Sequence, residues 1–503
     1  MKLLKNLPGW RCHIFLFALF LFWAAISQSQ PILKWPNESS YNEYWEFTPN
    51  GNKILVGIRN CSTKRIWDIK TGSLITLDTG CPFGDTGIEF QPNGNLALTS
   101  FYFNDSIRIW DINSGKVKYL LKGNYGEFSP DGNLILTSSP KSDSTMIWDA
   151  STGKLMYSRS GAYSEFSRDG KWIFNSIDIQ GPDTVKINII ETITGKIYRS
   201  YIDNNFNDFL VSGDSKYLIV SSYYEQKCPH YEQKIINISS GKQVSSLMFG
   251  GYYGYSPQIS PDNKWIIFQH LLFGKDLYME DGRWRQKKWK VKSKLFQLST
   301  GKLIKTFNSR CCECPYQGIP HPVEIHFSPD GKYFLKNIDF KNPALVESAT
   351  GKLLFKLKKP WDENVVFDLS VKFSKNGNLI ATSQADRTKI WDNKTGKQIW
   401  DIEGYIWDFH PYLPLLLIGN DEMCTIVSSS SGKPLISFDY IGLNDWVVLH
   451  PSGLFDASPW AMEKLYFDYD DEEIELSKLK DKYYEPGLWE KVMSGETIRA
   501  IEN

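Results

Sequence analysis

Six carboxylates stand at one recurring place in this chain. Glu46, Glu89, Glu127, Glu165, Asp208 and Asp408 each directly precede a phenylalanine beside a tight turn. Three further copies of the pattern carry Gln258, His326 and Lys372 there instead. Carboxylates that converge repel one another and resist ionisation, which a bound cation, a basic peptide or a wet environment relieves. A water-filled channel with partial pairing to Lys and Arg is the plainer expectation, and a cation or basic-peptide site is the functional alternative.

Two other groups of residues carry reactive types. "KCPH" (227–230) and "RCCECPYQGIPHP" (310–322) supply Cys228, His230, Cys311, Cys312, Cys314 and His321. Thiolate and imidazole suit zinc, but Cys-Cys-x-Cys is not a strong zinc spacing, so disulfides between these loops are the expected reading and a metal site the alternative. A basic stretch runs from Arg283 to Lys294, with Arg283, Arg285, Lys287 and Lys288 interleaved with Trp284 and Trp289. Such a mixture can grip phosphates and stack bases. An interaction loop for a protein or an acidic glycan is favoured over nucleic acid.

What positions these residues is a repeat. A Gly closing a short turn, usually after Thr or Ser, recurs at 72, 115, 153, 195, 241, 301, 351, 396 and 432. Upstream lies a second turn: "FTPNG" (47–51), "FQPNG" (90–94), "FSPDG" (128–132 and 327–331), "FSRDG" (166–170), "FSKNG" (373–377), and the worn copies "ISPDN" (259–263) and "FHPYL" (409–413). Pro presets the first turn residue, Asp or Asn bonds its own backbone, and Gly supplies positive φ, so each motif closes a hairpin. Between them, "NLILTS", "MIWDAST" and "KLMYS" read as strands. Nine units of roughly 40 residues result, each a four-stranded antiparallel sheet. A sheet of that size needs neighbours to bury its faces, and radial stacking into a propeller leaves only short, protected edges.

The Trp of "RIWD" (Trp67, Trp110), "MIWD" (Trp148) and "KIWD" (Trp391) is read as a wedge between neighbouring sheets. With the period, the Ser-Pro-Asp-Gly turn and the Trp-Asp pair, residues 31–440 resemble the WD40-repeat family. No Gly-His dipeptide opens any unit, so that family's His-centred network is not expected. The fold class implied is all-β: a propeller of about nine four-stranded units, as one wide ring or two smaller ones, followed by a short α-helical tail. "PILKW" (31–35) and "PLISF" (434–438) compete to be the outermost strand of the last unit. In a propeller, Cys61 and Cys81 fall on one face, where a disulfide is expected. The inner strands would line the channel.

The termini differ in kind. Residues 1–27 have a positive start (Lys2, Lys5, Arg11), an apolar run of 13 residues from Ile14 to Ile26, and small residues before a cleavage point. That run is short of the roughly 20 residues a spanning helix needs. Cleavage, export, and no stable membrane insertion afterwards are expected. Residues 441–503 form a hairpin with short helices, one starting at Ser458-Pro459 and two broken at Pro486-Gly487. "DWVVLHPSGLFDASP" and "KDKYYEPGLWEKVMSGE" are similar to the segment that links WD40 arrays to a caspase-like peptidase in some bacterial proteins. No Ser-Gly-His-Gly or Asp-Ala-Cys-x-Ser-Gly stretch occurs, so the peptidase itself is expected to be absent.

The 503 residues balance 57 Lys and Arg against 57 Asp and Glu, so no global field draws the chain to nucleic acid or anionic membrane. The reading is an exported, non-catalytic propeller that presents loops to a protein partner, without catalytic residues or cofactor. It is read as the regulatory part of a caspase-like peptidase system. The alternative is a small-ligand or metal-binding propeller, or an enzyme, using the Cys-rich face or the acidic channel.

Overall fold

The computed structural model describes residues 31–35, 43–58, 63–78, 87–101, 105–161, 163–179, 184–224, 230–250, 254–272, 277–280, 283–286, 289–311, 325–338, 342–357, 370–384, 386–420, 423–441, 444–470 and 472–501. The expected signal segment 1–27 lies outside them. Two compact units are present: residues 39–434, and residues 1–38 together with 435–503.

The larger unit is built from four-stranded antiparallel sheets in sequence order, over 43–78, 88–122, 125–160, 163–204, 206–250, 254–311, 325–356 and 370–403. A ninth begins with Tyr405–Phe409, Leu415–Gly419 and Cys424–Ser428. These are termed sheets one to nine. The turn chemistry is visible in sheet three. Ser129 Oγ donates to Asp131 and accepts from Leu134 N–H, while Gly132 takes φ 74°.

Each sheet buries its faces against its neighbours. Leu55, Ile66 and Leu77 of sheet one meet Phe90, Ala97 and Trp110 of sheet two. Phe174 and Val185 of sheet four meet Leu218 and Val220 of sheet five. Ala381 and Ile390 of sheet eight meet Ile406 and Leu416 of sheet nine. The intervening seams are filled alike. Sheet nine then packs on sheet one. Phe47 N–H donates to Asp408 Oδ2 at 3.1 Å, and the Phe47 and His410 rings lie 4.7 Å apart. Among the described residues, sheets one to nine therefore close a single ring, which resolves the choice between one ring and two.

The tryptophans wedge these seams. Trp110 is buried against sheet one, and its indole N–H donates to Thr99 Oγ1 at 2.9 Å. Trp391 packs on Leu335 and Leu345 of sheet seven, and Trp148 on the seam of sheets two and three. Trp67 is fully buried in sheet one. Outer strands meet the next sheet's Ser/Thr-Gly turn. A Cβ at Gly153, where φ is +69°, would lie 2.6 Å from Tyr119 Cδ1. Both the backbone conformation and the ring demand glycine there.

The smaller unit has its own core of Leu33, Val447, Phe455, Leu465, Phe467 and Tyr483. Ile32–Lys34 pairs with Tyr466–Tyr469, so "PILKW" belongs to this unit and is not an outermost propeller strand. The sequence-based boundaries of 31 and 440 shift accordingly. Helices span Pro459–Met462, Leu476–Tyr483 and Leu488–Ser494, the last two separated at Pro486-Gly487 as the sequence indicates. Leu488 and Trp489 are buried, with the Trp489 ring 5.1 Å from Phe438.

Candidate functional site

The strand register places one side chain per sheet at an equivalent position on the first strand. Glu46 stands opposite Leu55, Glu89 opposite Leu98, Glu127 opposite Leu136, and Glu165 opposite Phe174. Gln258, His326, Lys372 and Asp408 take the same slot opposite Ile267, Leu335, Ala381 and Leu417. Asp208 does not. In sheet five Ser212 N–H bonds Tyr217 C=O, as Ser167 does Trp172, so Leu210 opposite Ile219 is the equivalent residue. Ser215, at φ 56°, supplies the left-handed turn position that Gly170 fills in sheet four. A bulge leaves Asp208 opposite Ser221, exposed, where its charge still opposes ionisation of Glu165.

The carboxylates link neighbouring sheets. Phe128 N–H of sheet three donates to Glu89 Oε1 of sheet two at 2.8 Å. Phe166 N–H of sheet four donates to Glu127 Oε1 of sheet three. Asp408 accepts from Phe47 across the ring closure. Lys372 Nζ donates to Trp407 C=O in the next sheet and lowers the cost of ionising Asp408 and Glu46. A turn-to-turn set of links runs alongside. Asn50 Nδ2 donates to Asn93 C=O, Gln91 Nε2 to Gly132 C=O, and His410 Nε2 meets Gly51 C=O at 2.9 Å. His410 Nδ1 accepts from Tyr412 and Leu413 N–H, so the imidazole fills a Ser slot as a neutral ring with the proton on Nε2.

Burial raises the proton affinity of these acids. Desolvation pushes Glu89 up to about 7. Desolvation and the charges of Glu89 and Glu165 push Glu127 up to about 8. Desolvation, then Asp208, raises Glu165 to about 7. Glu46 and Asp408 are raised by burial as well, but Lys372 moderates both. The inner acids thus fall into two arcs: Glu89, Glu127 and Glu165 with no cation among them in the described residues, and Asp408 and Glu46 facing Lys372. Tyr125 is 49% and Tyr163 65% exposed, two residues before Glu127 and Glu165 respectively. The Tyr125 hydroxyl lies 3.4 Å from Glu127 Oε2. Chemically the arc can hold protons near neutrality and accept backbone N–H groups. Among the described residues, no three His, Cys, Asp or Glu side chains gather as metal ligands do.

Several other sequence-singled residues lie outside the described residues: Cys61, Cys81, Cys228, Lys287, Lys288, Cys312, Cys314 and His321. Cys311 ends the strand Lys302–Cys311. His230 opens the strand His230–Asn237, its ring stacked 4.8 Å from Tyr224. Arg283, Trp284 and Arg285 lie in the strand Arg283–Gln286, which pairs with Leu277–Glu280 as a separate two-stranded sheet between the second and third strands of sheet six. Trp289 begins the third strand, Trp289–Gln297. No helix among the described residues is long and apolar enough to cross a membrane.

No family model matches the sequence, and no curated protein matches it. Solved structures do. One titled Dos1 propeller is 14% identical with a TM-score of 0.43, covering 79% of this chain and 93% of that one. A dihydro-heme d1 dehydrogenase, NirN, is 16% identical at 0.43, covering 74% and 78%. The Kuenenia stuttgartiensis hydrazine synthase is 11% identical at 0.37, covering 75% and 98%. All three TM-scores fall below 0.5, so the propeller assignment rests on this chain's own sheet order and ring contacts.

Proposed function

We propose that this chain is an exported, non-catalytic propeller whose loop face recognises a protein partner. One observation carries the reading: the recurrent polar residues are tied into the frame. Glu89, Glu127 and Asp408 accept backbone N–H groups of the next sheet, and Trp110, Trp148 and Trp391 donate to threonines of their own sheets. Groups so engaged are supports, and the parts that vary between units are the connections. Among the described residues, the extra hairpin of sheet six, with Arg283 and Arg285, is the largest such variation. The Trp-Asp repeats and the linker-like tail support a regulatory role beside a caspase-like peptidase supplied by a separate chain.

The test is affinity capture from the exported fraction with the wild-type protein and an Arg283→Glu/Arg285→Glu variant. The expected result is one stoichiometric protein held by the wild type and lost by the variant, with unchanged thermal melting. Recovery of the same background from both proteins would overturn the proposal. Export has its own check: the mature protein should begin just after Ser27, and an intact Met1 on protein from the cytoplasm would contradict it.

A further inference from the structure

Sheet six is electrostatically one-sided. Its four strands, Gly254–Ile259, Trp265–Leu272, Trp289–Gln297 and Lys302–Cys311, carry Lys290, Lys292, Lys294, Lys302, Lys305 and Arg310, and no carboxylate. His270 pairs across strands with Lys292, and Phe268 with Lys294, so all four side chains share one sheet face. That face meets sheet five. Phe249 there lies 5.2 Å, ring to ring, from His270, and Lys294 Nζ sits 4.7 Å over the same Phe249 ring.

His270 is 5% exposed, and its Nδ1 has no hydrogen-bond partner among the described residues. Buried polar atoms are nearly always partnered, so an orphan aimed into a basic seam points to a missing acceptor-bearing ligand. Neither Lys292 nor Lys294 makes an ion pair among the described residues. The second, third and fourth strands of sheet five bear no acid on the face that carries Phe249: their one carboxylate, Glu232, pairs with Met248 on the opposite face and is engaged by Lys234, Ser246 and Tyr224. Burial, then Lys294 and Lys292, pushes His270 down to about 4, and burial and Lys292 lower Lys294. Lys292 and Lys294 thus place charge of one sign beside a buried ring that they help to keep neutral. An anion between them offsets the repulsion of the two ammonium groups and favours the protonated ring.

We propose that the seam between sheets five and six binds a small multivalent oxyanion of the phosphate class, held by Lys292, Lys294 and His270. Two ammonium groups match a dianion. The imidazole gains a proton or donates from its ring N–H, and Phe249 forms the apolar wall.

The probes are inorganic phosphate, sulfate and malonate, each titrated calorimetrically at low ionic strength into the full-length protein. His270 is followed in parallel by NMR of histidine-labelled protein. Phosphate and sulfate are expected to bind, and phosphate to move the His270 titration upward by a unit or more. Lys292→Gln and Lys294→Gln should each weaken binding on the order of tenfold, the size of a lost charged hydrogen bond. Lys302→Gln, on the exposed outer strand of the same sheet, should leave affinity unchanged. No binding with an unmoved His270 titration would overturn the proposal. So would malonate binding alone, or equal loss from Lys302→Gln, because the first contradicts the ligand class and the second the site.

Discussion

Glu127→Gln should stabilise the ring in alkaline solution and leave it unchanged in acid. Glu127 lies between Glu89 and Glu165, and its carboxyl is raised from 4.5 to about 8 by burial and by those neighbours. A raised folded-state value means that the native protein holds its proton more tightly than the unfolded chain. The resulting stability is complete below about 4.5 and is lost as pH rises through about 8. At 1.36 kcal/mol per unit the displacement amounts to several kcal/mol. Partial exposure and salt screening reduce that to about 2 kcal/mol. Glutamine keeps an amide oxygen for Phe166 N–H and removes the charge, so the variant should gain about 2 kcal/mol over wild type at pH 9. At pH 4 both side chains are neutral, and the gap should close. Urea denaturation of both proteins at several pH values measures the difference directly. A variant that matches wild type at pH 9, or is less stable there, would refute the idea that this arc carries uncompensated charge.

Trp110→Ala should cost about 3–5 kcal/mol, because it empties the wedge between sheets one and two and orphans Thr99; denaturation midpoints check it. Gly153→Ala should lower the midpoint too, by about 1–2 kcal/mol, since a strained φ and the Tyr119 ring both oppose a Cβ. Tyr119→Ala made alongside should recover part of that loss if the ring contributes, and none if backbone strain alone is responsible.

How far the sequence discloses this molecule depends on whether a feature repeats. The hairpin turns repeat because Ser129, Asp131 and Gly132 solve a local backbone problem that every sheet shares. Trp110 and Trp391 repeat because every seam needs a filler. Such residues are legible without neighbours in view. Asp208 is not. Phe209 imitates the phenylalanine before other turns, but in "VSGDS" the left-handed position belongs to Ser215, with Gly213 earlier in the turn, so the carboxylate slides two residues off its slot. The outer-strand reading of "PILKW" fails for another reason. Ile32–Lys34 finds its partner in Tyr466–Tyr469, more than 400 residues away, and nothing local signals that pairing. The basic seam did leave a trace, in the absence of any carboxylate from the four strands of sheet six. Without the register, however, His270, Lys292 and Lys294 could not be assigned to one face.

Closure of nine sheets into one ring is tested by a distance. Asn50 and Tyr412 occupy the same turn position in sheets one and nine, as Asn93 and Asp131 do in the adjacent sheets two and three. Spin labels on each pair, compared by electron double resonance, should report one matching short separation. A separation between 50 and 412 much longer than that between 93 and 131 would mean that sheet nine does not meet sheet one, and would contradict the single ring.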